Sequence, residues 1–394
     1  MKNKTILDVC RRFSAGDAIK AKEIKETGEY PVFGANGIRG YTDTFNFDGQ
    51  CAVIGRQGAG SGNVHYYEGK AYMTEHAIVA EANDENCSGY LAYTLMQMNL
   101  ARYQGQSAQP GISAKTISEL PIEVPDLNYQ KLVFESLNNL EKKIANNNAI
   151  VRQLEAMAKT IYDYWFLQFE FPNEKGKPYK SSGGKMVWNE ELKREIPEGW
   201  KVGNLSNNEL TKIIKPGIDK FEGTKNYLET ADVTESNYTK GEEVTFENRA
   251  SRANMQPTKN SVWFAKMKDS VKHLLINEEM QPLIERSIFS TGFLGLQCSS
   301  DSFEYIATYI KSEYFEKAKN KLAHGATQQA INNSDLRGIK IVIPCDEVLT
   351  EFHKRFKSIY SLISKKTIEN KELIDMKDFL LPLLMNGQVT ISKN

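Results

Sequence analysis

The feature that most constrains this chain is that part of it occurs twice. Gly105-Gln106-Ser107-Ala108-Gln109-Pro110-Gly111-Ile112 is followed by Ile117-Ser118-Glu119-Leu120-Pro121-Ile122-Glu123-Val124-Pro125. Gly325-Ala326-Thr327-Gln328-Gln329-Ala330-Ile331 is followed by Asp335-Leu336-Arg337-Gly338-Ile339-Lys340-Ile341-Val342-Ile343-Pro344. With a one-residue gap the two align at an offset of about 220 residues, far longer than the period of a solenoid repeat. Each copy reads as a small, polar loop carrying Gln, a short turn, and an alternating apolar strand that ends at Pro. Upstream, Tyr90-Leu91-Ala92-Tyr93-Thr94-Leu95 resembles Tyr305-Ile306-Ala307-Thr308-Tyr309-Ile310, the start of a helix in each half. One scaffold has been duplicated, and the sequences between the shared ends have diverged.

After each closing Pro the apolar period changes from 2 to 3.5. Val133, Leu137, Leu140, Ile144, Asn147, Val151, Leu154, Ala158, Ile161 and Trp165 follow alternating steps of four and three, a sustained heptad series. Phe352, Phe356, Ile359, Ile363, Lys366, Asn370, Leu373 and Leu380 give a similar, less regular series. Both carry a polar residue in mid-seam, which costs stability but fixes register and partner number. Each stripe is longer than most globular helices, so packing on a local domain alone explains it less well than pairing. A helix of about 40 residues spans roughly 60 Å, and two equivalent ones in one chain can pair antiparallel.

Residues 1–125 are rich in Gly and aromatics. Tyr30–Gly37 and Ile38–Tyr41 read as short strands joined by tight turns, Cys51–Arg56 as a buried strand, and His65-Tyr66-Tyr67 as another. Residues 197–345 show similar spacing, with Ser261-Val262-Trp263-Phe264 as the buried strand. The fold class expected is α+β: two strand-rich domains separated by two long antiparallel coiled-coil helices, with a pseudo-two-fold internal repeat. The division expected is 1–125 for the first domain, 126–170 for the first long helix and 171–196 for a linker. Then follow 197–345 for the second domain, 346–386 for the second helix and 387–394 for a tail. The linker rests on Phe171–Pro178 and Ser181–Lys185, which are turn-forming chemistry.

Bulk properties exclude several classes. Apolar residues make up 40% and charged residues 25%, as in ordinary globular proteins. No stretch approaches the roughly 18 apolar residues of a membrane span, and the N-terminus has no apolar signal core, so a cytoplasmic protein is expected. Five scattered cysteines without a CxxC pair indicate neither a zinc knuckle nor a disulfide framework. The five histidines show no HxxxH or HxH spacing, so no metal site is expected. Formal net charge is zero; nucleic-acid binders usually show a basic surplus, so any DNA surface must come from how the charges are distributed.

Motifs for chemistry fail one by one. Gly55-Arg56-Gln57-Gly58-Ala59-Gly60-Ser61-Gly62-Asn63 lacks the Gly-Lys-Ser/Thr ending of a phosphate loop, and Val64–Tyr67 after it reads as strand, not the helix whose N-terminus would cradle phosphates. Pro125-Asp126 with Glu141-Lys142-Lys143 matches a nuclease pattern loosely. Glu141 and Lys143, however, fall at expected solvent-facing positions of the heptad helix, where no convergent metal site forms. No Asn/Asp-Pro-Pro-Tyr/Phe motif of a base-flipping methyltransferase and no Gly-x-Ser-x-Gly elbow occurs. Basic residues do cluster: Arg11, Arg12, Lys20, Lys22 and Lys25 early, and Lys212, Lys215, Lys220, Lys225, Arg249, Arg252, Lys259, Lys266, Lys268 and Lys272 later. Any single one is more often plain solvated surface, but recurrence in both domains fits phosphate contacts. Arg, Gln and Asn suit guanine and adenine edges. The candidate DNA contacts are Lys20, Lys22, Arg39, Arg56, Gln57 and Asn63 in the first half. In the second half they are Lys225, Arg249, Arg252, Asn254, Gln328 and Gln329. Arg39, Arg56, Gln57, Asn63, Arg249, Arg252 and Asn254 are the expected base readers.

Together these features resemble the specificity subunit of type I restriction–modification enzymes, over essentially the whole chain. The marks are the Gly-x-x-x-Gln loop leading to a strand and Pro, and the long helix after each copy. Tyr162-Asp163-Tyr164-Trp165-Phe166, Phe169-Glu170-Phe171-Pro172, the run Lys177-Pro178-Tyr179-Lys180 and Ile196-Pro197-Glu198-Gly199-Trp200 add to them. The resemblance implies two target-recognition domains, each reading half of an asymmetric bipartite DNA sequence through the major groove, with no catalysis by the chain itself. It implies paired helices that set the half-site spacing and dock two methyltransferase subunits. Restriction subunits would join through the complex. S-adenosylmethionine, ATP and Mg are expected only on those partners. The competing readings are a nuclease or methyltransferase in its own right, which no motif supports, and a coiled-coil assembly protein without DNA contact.

Overall fold

A computed structural model describes residues 4–105 and 111–391. Residues 106–110 of the first repeated loop therefore lie outside the described residues. The chain divides into two compact units, Met1–Lys143 with Ile374–Asn394, and Ile144–Leu373.

The first unit is organised by a six-stranded sheet in the order Cys10–Ala15, Ala77–Ala82, Phe47–Gly55, Val64–Met73, Tyr30–Gly34, Gly37–Thr42. Neighbours are antiparallel except Tyr30–Gly34 against Val64–Met73, which is parallel. The run Cys51–Gly55 is buried throughout because both of its faces are covered. Ala52 and Ile54 pack with Ile78, Ala80, Leu91 and Leu95 on one side. Cys51 and Val53 pack with Phe33, Phe47 and Val79 on the other. That is why the sequence here is continuously apolar rather than alternating.

The second unit repeats the arrangement. Thr211–Ile213, Phe293–Cys298, Ser261–Ala265 and His273–Ile276 form an antiparallel sheet whose order matches the first four strands of the first unit. A second sheet, Glu242–Val244, Lys225–Leu228, Ser287–Ser290, Ala253–Met255, contains the matching parallel pair between Lys225–Leu228 and Ser287–Ser290. In the first unit one ten-residue strand, Val64–Met73, takes part in both pairings. In the second unit the turn Glu278–Met280 and the helix Gln281–Arg286 interrupt that strand and split the sheet in two. The helix after the sheet is Ser88–Gln97 in one unit and Phe303–Ile310 in the other. Each duplicated domain closes by an antiparallel pair: Lys4–Thr5 with Pro121–Ile122, and Lys201–Asn204 with Lys340–Ile343.

The first heptad series lies on the helix Leu127–Tyr162 and, at Trp165, on the π-helical turn Asp163–Leu167 that continues it; the second lies on the helix Asp346–Met385. They run antiparallel within each unit. In the first unit Val133, Leu137 and Phe134 pack with Tyr90, Tyr93 and Leu384, and the Tyr129 hydroxyl donates to the Leu384 carbonyl at 3.1 Å. Leu140 is half-buried. Glu141 was expected to face solvent; it is half-buried and pairs with Lys377 at 3.3 Å, because the partner helix covers that side of the seam. In the second unit Val151, Leu154 and Ile359 pack against a core that includes Phe352, Phe356 and Ile363, and Ile144 and Leu373 are half-buried. The two seam asparagines meet: Asn147 Nδ2 donates to Asn370 Oδ1 at 3.0 Å, and Asn370 Nδ2 donates to Asn148 Oδ1 at 2.8 Å.

A second expectation also differs from the structure. The segment 171–196, expected as a linker, is built into the second unit. Phe171 stacks between Tyr179 at 4.5 Å and Trp200 at 5.0 Å, and Met186–Asn189 pairs with Arg194–Pro197. Its Gly, Pro and Ser residues make the turns, while its aromatics fasten them to the core.

Two stability predictions follow from these contacts. Asn370→Ala leaves Asn147 without its buried acceptor and should cost about 1–3 kcal/mol. The double variant Asn147→Val/Asn370→Val should recover that loss in urea unfolding, because neither polar partner is then stranded. Gly89 lies under the first long helix, where an added Cβ would stand 2.1 Å from the Phe134 ring. Gly89→Ala should lower the unfolding midpoint by overpacking, at about 1–3 kcal/mol.

Candidate nucleic-acid interface

In each unit the buried central strand ends at a cation. In the first unit Arg56 follows Gly55. Its N–H donates to the His76 carbonyl at 2.9 Å, and its carbonyl accepts from Ile112 N–H at 2.8 Å. Its guanidinium Nη1 donates to the Glu75 carbonyl at 3.3 Å. In the second unit Lys266 follows Ala265. Its N–H donates to the Gly292 carbonyl at 3.0 Å, and its carbonyl accepts from Ile331 N–H at 3.0 Å. Its Nζ donates to the Thr291 carbonyl at 2.8 Å. Single bridges repeat too: Gln57 with Gly111, and Met267 with Ala330. Arg56 and Lys266 therefore occupy the same place in the two copies. The N–H that reaches each of them comes from the isoleucine that ends the repeated Gln-bearing loop.

Around Arg56 the first sheet gathers several expected contacts. Gly55 has no room for a side chain, since a Cβ would stand 1.9 Å from the Ala35 carbonyl oxygen. This close approach seats the 55–63 loop on the turn between Tyr30–Gly34 and Gly37–Thr42. Asn63 Nδ2 donates across the contact to Asn36 Oδ1 at 2.8 Å, and Gln57 Oε1 lies 2.9 Å from His76 Nδ1. Arg39, exposed, extends along Gly34 at the same end of the hairpin. Arg39, Arg56, Gln57 and Asn63 thus share one edge. Lys20 and Lys22 do not join them. They are exposed on and beside the turn Ala21–Glu23, and Lys25 just after it pairs with Tyr41 at the open end of the hairpin.

In the second unit the Thr291–Gly292 turn is the centre. Arg252 accepts from Thr291 N–H at 2.8 Å through its carbonyl, and its guanidinium lies 3.2 Å from where a Cβ on Gly292 would be. Lys272 Nζ donates to the Thr230 carbonyl at 2.5 Å, and the Thr230 methyl also borders Gly292. Lys268 Nζ donates to Gln329 Oε1 at 2.8 Å, which brings Gln329 to this edge; Gln328 beside it is exposed. Among the described residues none of Arg252, Lys266, Lys268 and Lys272 pairs with a carboxylate. Burial, and then the charge of Arg252, hold the Lys266 ammonium below the usual lysine range.

Lys225 and Arg249 form a separate group. Lys225 lies over Phe221 and Arg249 over Phe246 at 5.2 and 4.6 Å, and those two rings meet edge-on at 5.7 Å. Arg249 Nε is buried without a partner, so this guanidinium is partly used in packing. Asn254 is half-buried, and its carbonyl accepts from Gly217 N–H.

A buried charge network holds the Lys266 loop. Lys319, fully buried, donates to the carbonyls of Ala265 at 3.4 Å and Ser270 at 2.9 Å, and pairs with Glu316 at 2.7 Å. His273 meets the same carboxylate at 3.1 Å; burial, which outweighs that hydrogen bond, holds its imidazole below the usual range. The neighbouring Asn320 bonds Asp269 through both backbone and side chain. Both ends of the 266–270 loop are thereby fixed. Sequence reasoning placed Lys266, Lys268 and Lys272 only in a basic run. The signal that singles out Lys266 is its position one residue beyond the buried strand, as Arg56 stands beyond Gly55. Among the described residues no group of three His, Cys, Asp or Glu is placed to hold a metal ion, and no helix is long and apolar enough to cross a membrane.

Comparison with known proteins agrees with this architecture. Residues 1–156 match the family model described as the type I restriction modification DNA specificity domain. The type I restriction enzyme EcoprrI specificity subunit of Escherichia coli is 38% identical over 144 residues, 36% of this chain and 36% of that protein. The match thus spans about a third of that relative's length. The MjaIX specificity subunit of Methanocaldococcus jannaschii is 24% identical over 325 residues, 78% of this chain and 70% of that protein. The crystal structure of a type I restriction–modification system S subunit from M. genitalium shares the fold, with a TM-score of 0.61 at 15% identity over 100% of this chain and 96% of that one. Residues 1–156 thus carry a type I restriction modification DNA specificity domain, and with its duplicated sheets and two heptad helices the whole chain is similar in fold to a type I specificity subunit.

Proposed function

We propose that this chain is the non-catalytic DNA-recognition subunit of a type I restriction–modification system acting in the cytoplasm. It reads an asymmetric bipartite target, one half-site per duplicated domain. The observation that carries this reading is the recurrence of one cation-bearing edge at the same point of two sheets whose surrounding loops differ. Equal scaffolds with unequal loops suit two different half-sites. The neutral net charge is no obstacle, because several cations that pair with no carboxylate among the described residues gather around one turn of the second domain.

The paired helices are the proposed docking ground for methyltransferase subunits, two per chain, with restriction subunits joining through the complex. S-adenosylmethionine, ATP and Mg would be held by those partners. The chain's own contribution is to bind the duplex and orient it.

Sequencing methylated adenines in cells that carry this chain and its methyltransferase partner tests the reading. A two-part motif should appear, and it should vanish when the chain is deleted. Exchanging residues 1–125 for the same domain of a relative should change one half of the motif and leave the other. Methylation that persists without the chain, or a motif indifferent to the exchange, overturns the proposal.

A further inference from the structure

We infer that Arg56 and Lys266 are matching backbone-phosphate anchors rather than base readers; this rests on the DNA-recognition reading. The two residues are held by the same three bonds, one from each N–H, one to each carbonyl and one from each side chain to the adjoining turn. What surrounds them differs. Arg56 stands beside Gln57, Asn63 and Arg39, whereas Lys266 stands beside Arg252, Lys268 and Gln329. A cation held by the same bonds at the same point of two scaffolds is suited to a contact that does not depend on which sequence each domain reads. It can supply what both half-sites share, and that is the phosphate backbone.

The chemistry agrees. One copy uses Arg and the other Lys. That exchange is poorly tolerated where a planar, bidentate fork must read a guanine edge. It is acceptable where the partner is a phosphate that either a fork or a point charge can meet. Each side chain already spends a donor on a main-chain carbonyl of its turn, which fixes the direction of the charge and leaves fewer donors for a base. Lys266 has no carboxylate partner among the described residues, and Arg252 stands nearby to share an anionic ligand. Anchors at one point of each scaffold set the register of the duplex, and the divergent loops around them then read the bases.

The experiment uses the complex of the full chain with its methyltransferase partner and two labelled duplexes of about four helical turns. One carries the motif found methylated in cells, and the other is a scramble of the same composition. Arg56→Ala and Lys266→Ala should each weaken binding roughly tenfold on both duplexes alike. Each should lower the slope of log affinity against log salt by about one. Arg56→Lys and Lys266→Arg should keep most of the affinity and the motif, which separates lost charge from lost fold. A loss confined to the motif duplex, or a changed methylation motif in the exchange variants, would show base reading and overturn the inference. So would unchanged affinity in both alanine variants while the wild-type complex binds. A wild-type complex that binds neither duplex removes the DNA-recognition reading itself, and the anchors with it.

Discussion

Burying a strand on both faces leaves its backbone only the sheet and its own ends to satisfy hydrogen bonds. Cys51–Gly55 and Ser261–Ala265 are such strands, and their positions fix much else. Their neighbours must be antiparallel partners of matching length, the following helix must cap the face opposite the parallel pair, and the residue just beyond each strand must find partners in loops. The repeated Gln-bearing loop supplies one of those partners through Ile112 and Ile331. The duplicated sequence is therefore duplicated because it closes the end of the central strand, and the candidate DNA edge is where that closure happens.

The helices obey a different constraint. Apart from Lys366, their seam is apolar until Asn147 meets Asn370, and one hydrogen bond joins that pair at the cost of a more apolar contact. Asn147 Oδ1 is buried without a hydrogen-bond partner, so the pair is less favourable than leucines would be in a purely apolar seam. Its use is in specification: any slipped register would bury each asparagine against aliphatic side chains.

Local pattern carried much of the architecture. The duplication, the heptads, the buried strands and the helix starts at Tyr90 and Tyr305 are all written in short-range periodicity. What was not legible depends on distant partners. The turn-rich 171–196 segment read as a linker because nothing local shows that Phe171 stacks with Trp200. Lys319 sits in the charge-rich helix Glu313–Leu322, yet it is fully buried because Glu316 and the carbonyls of Ala265 and Ser270 receive its ammonium. Lys266 was hidden by the divergence of the loops: without the shared bonds from Ile112 and Ile331, nothing aligns it with Arg56. Arg249 showed the converse, a cation that looked available but is laid over Phe246.

The four cations around the Thr291–Gly292 turn have one more consequence. Like charges gathered without carboxylates repel, and the fold must hold that repulsion in place through Lys319, Asn320 and the turn itself. Any polyanion that settles there screens the repulsion as it binds, and ions of the medium do so in part. The rigidity of this corner is thus tied to its ionic surroundings. Dilute buffer is expected to loosen this corner, and an anionic ligand held there would steady it.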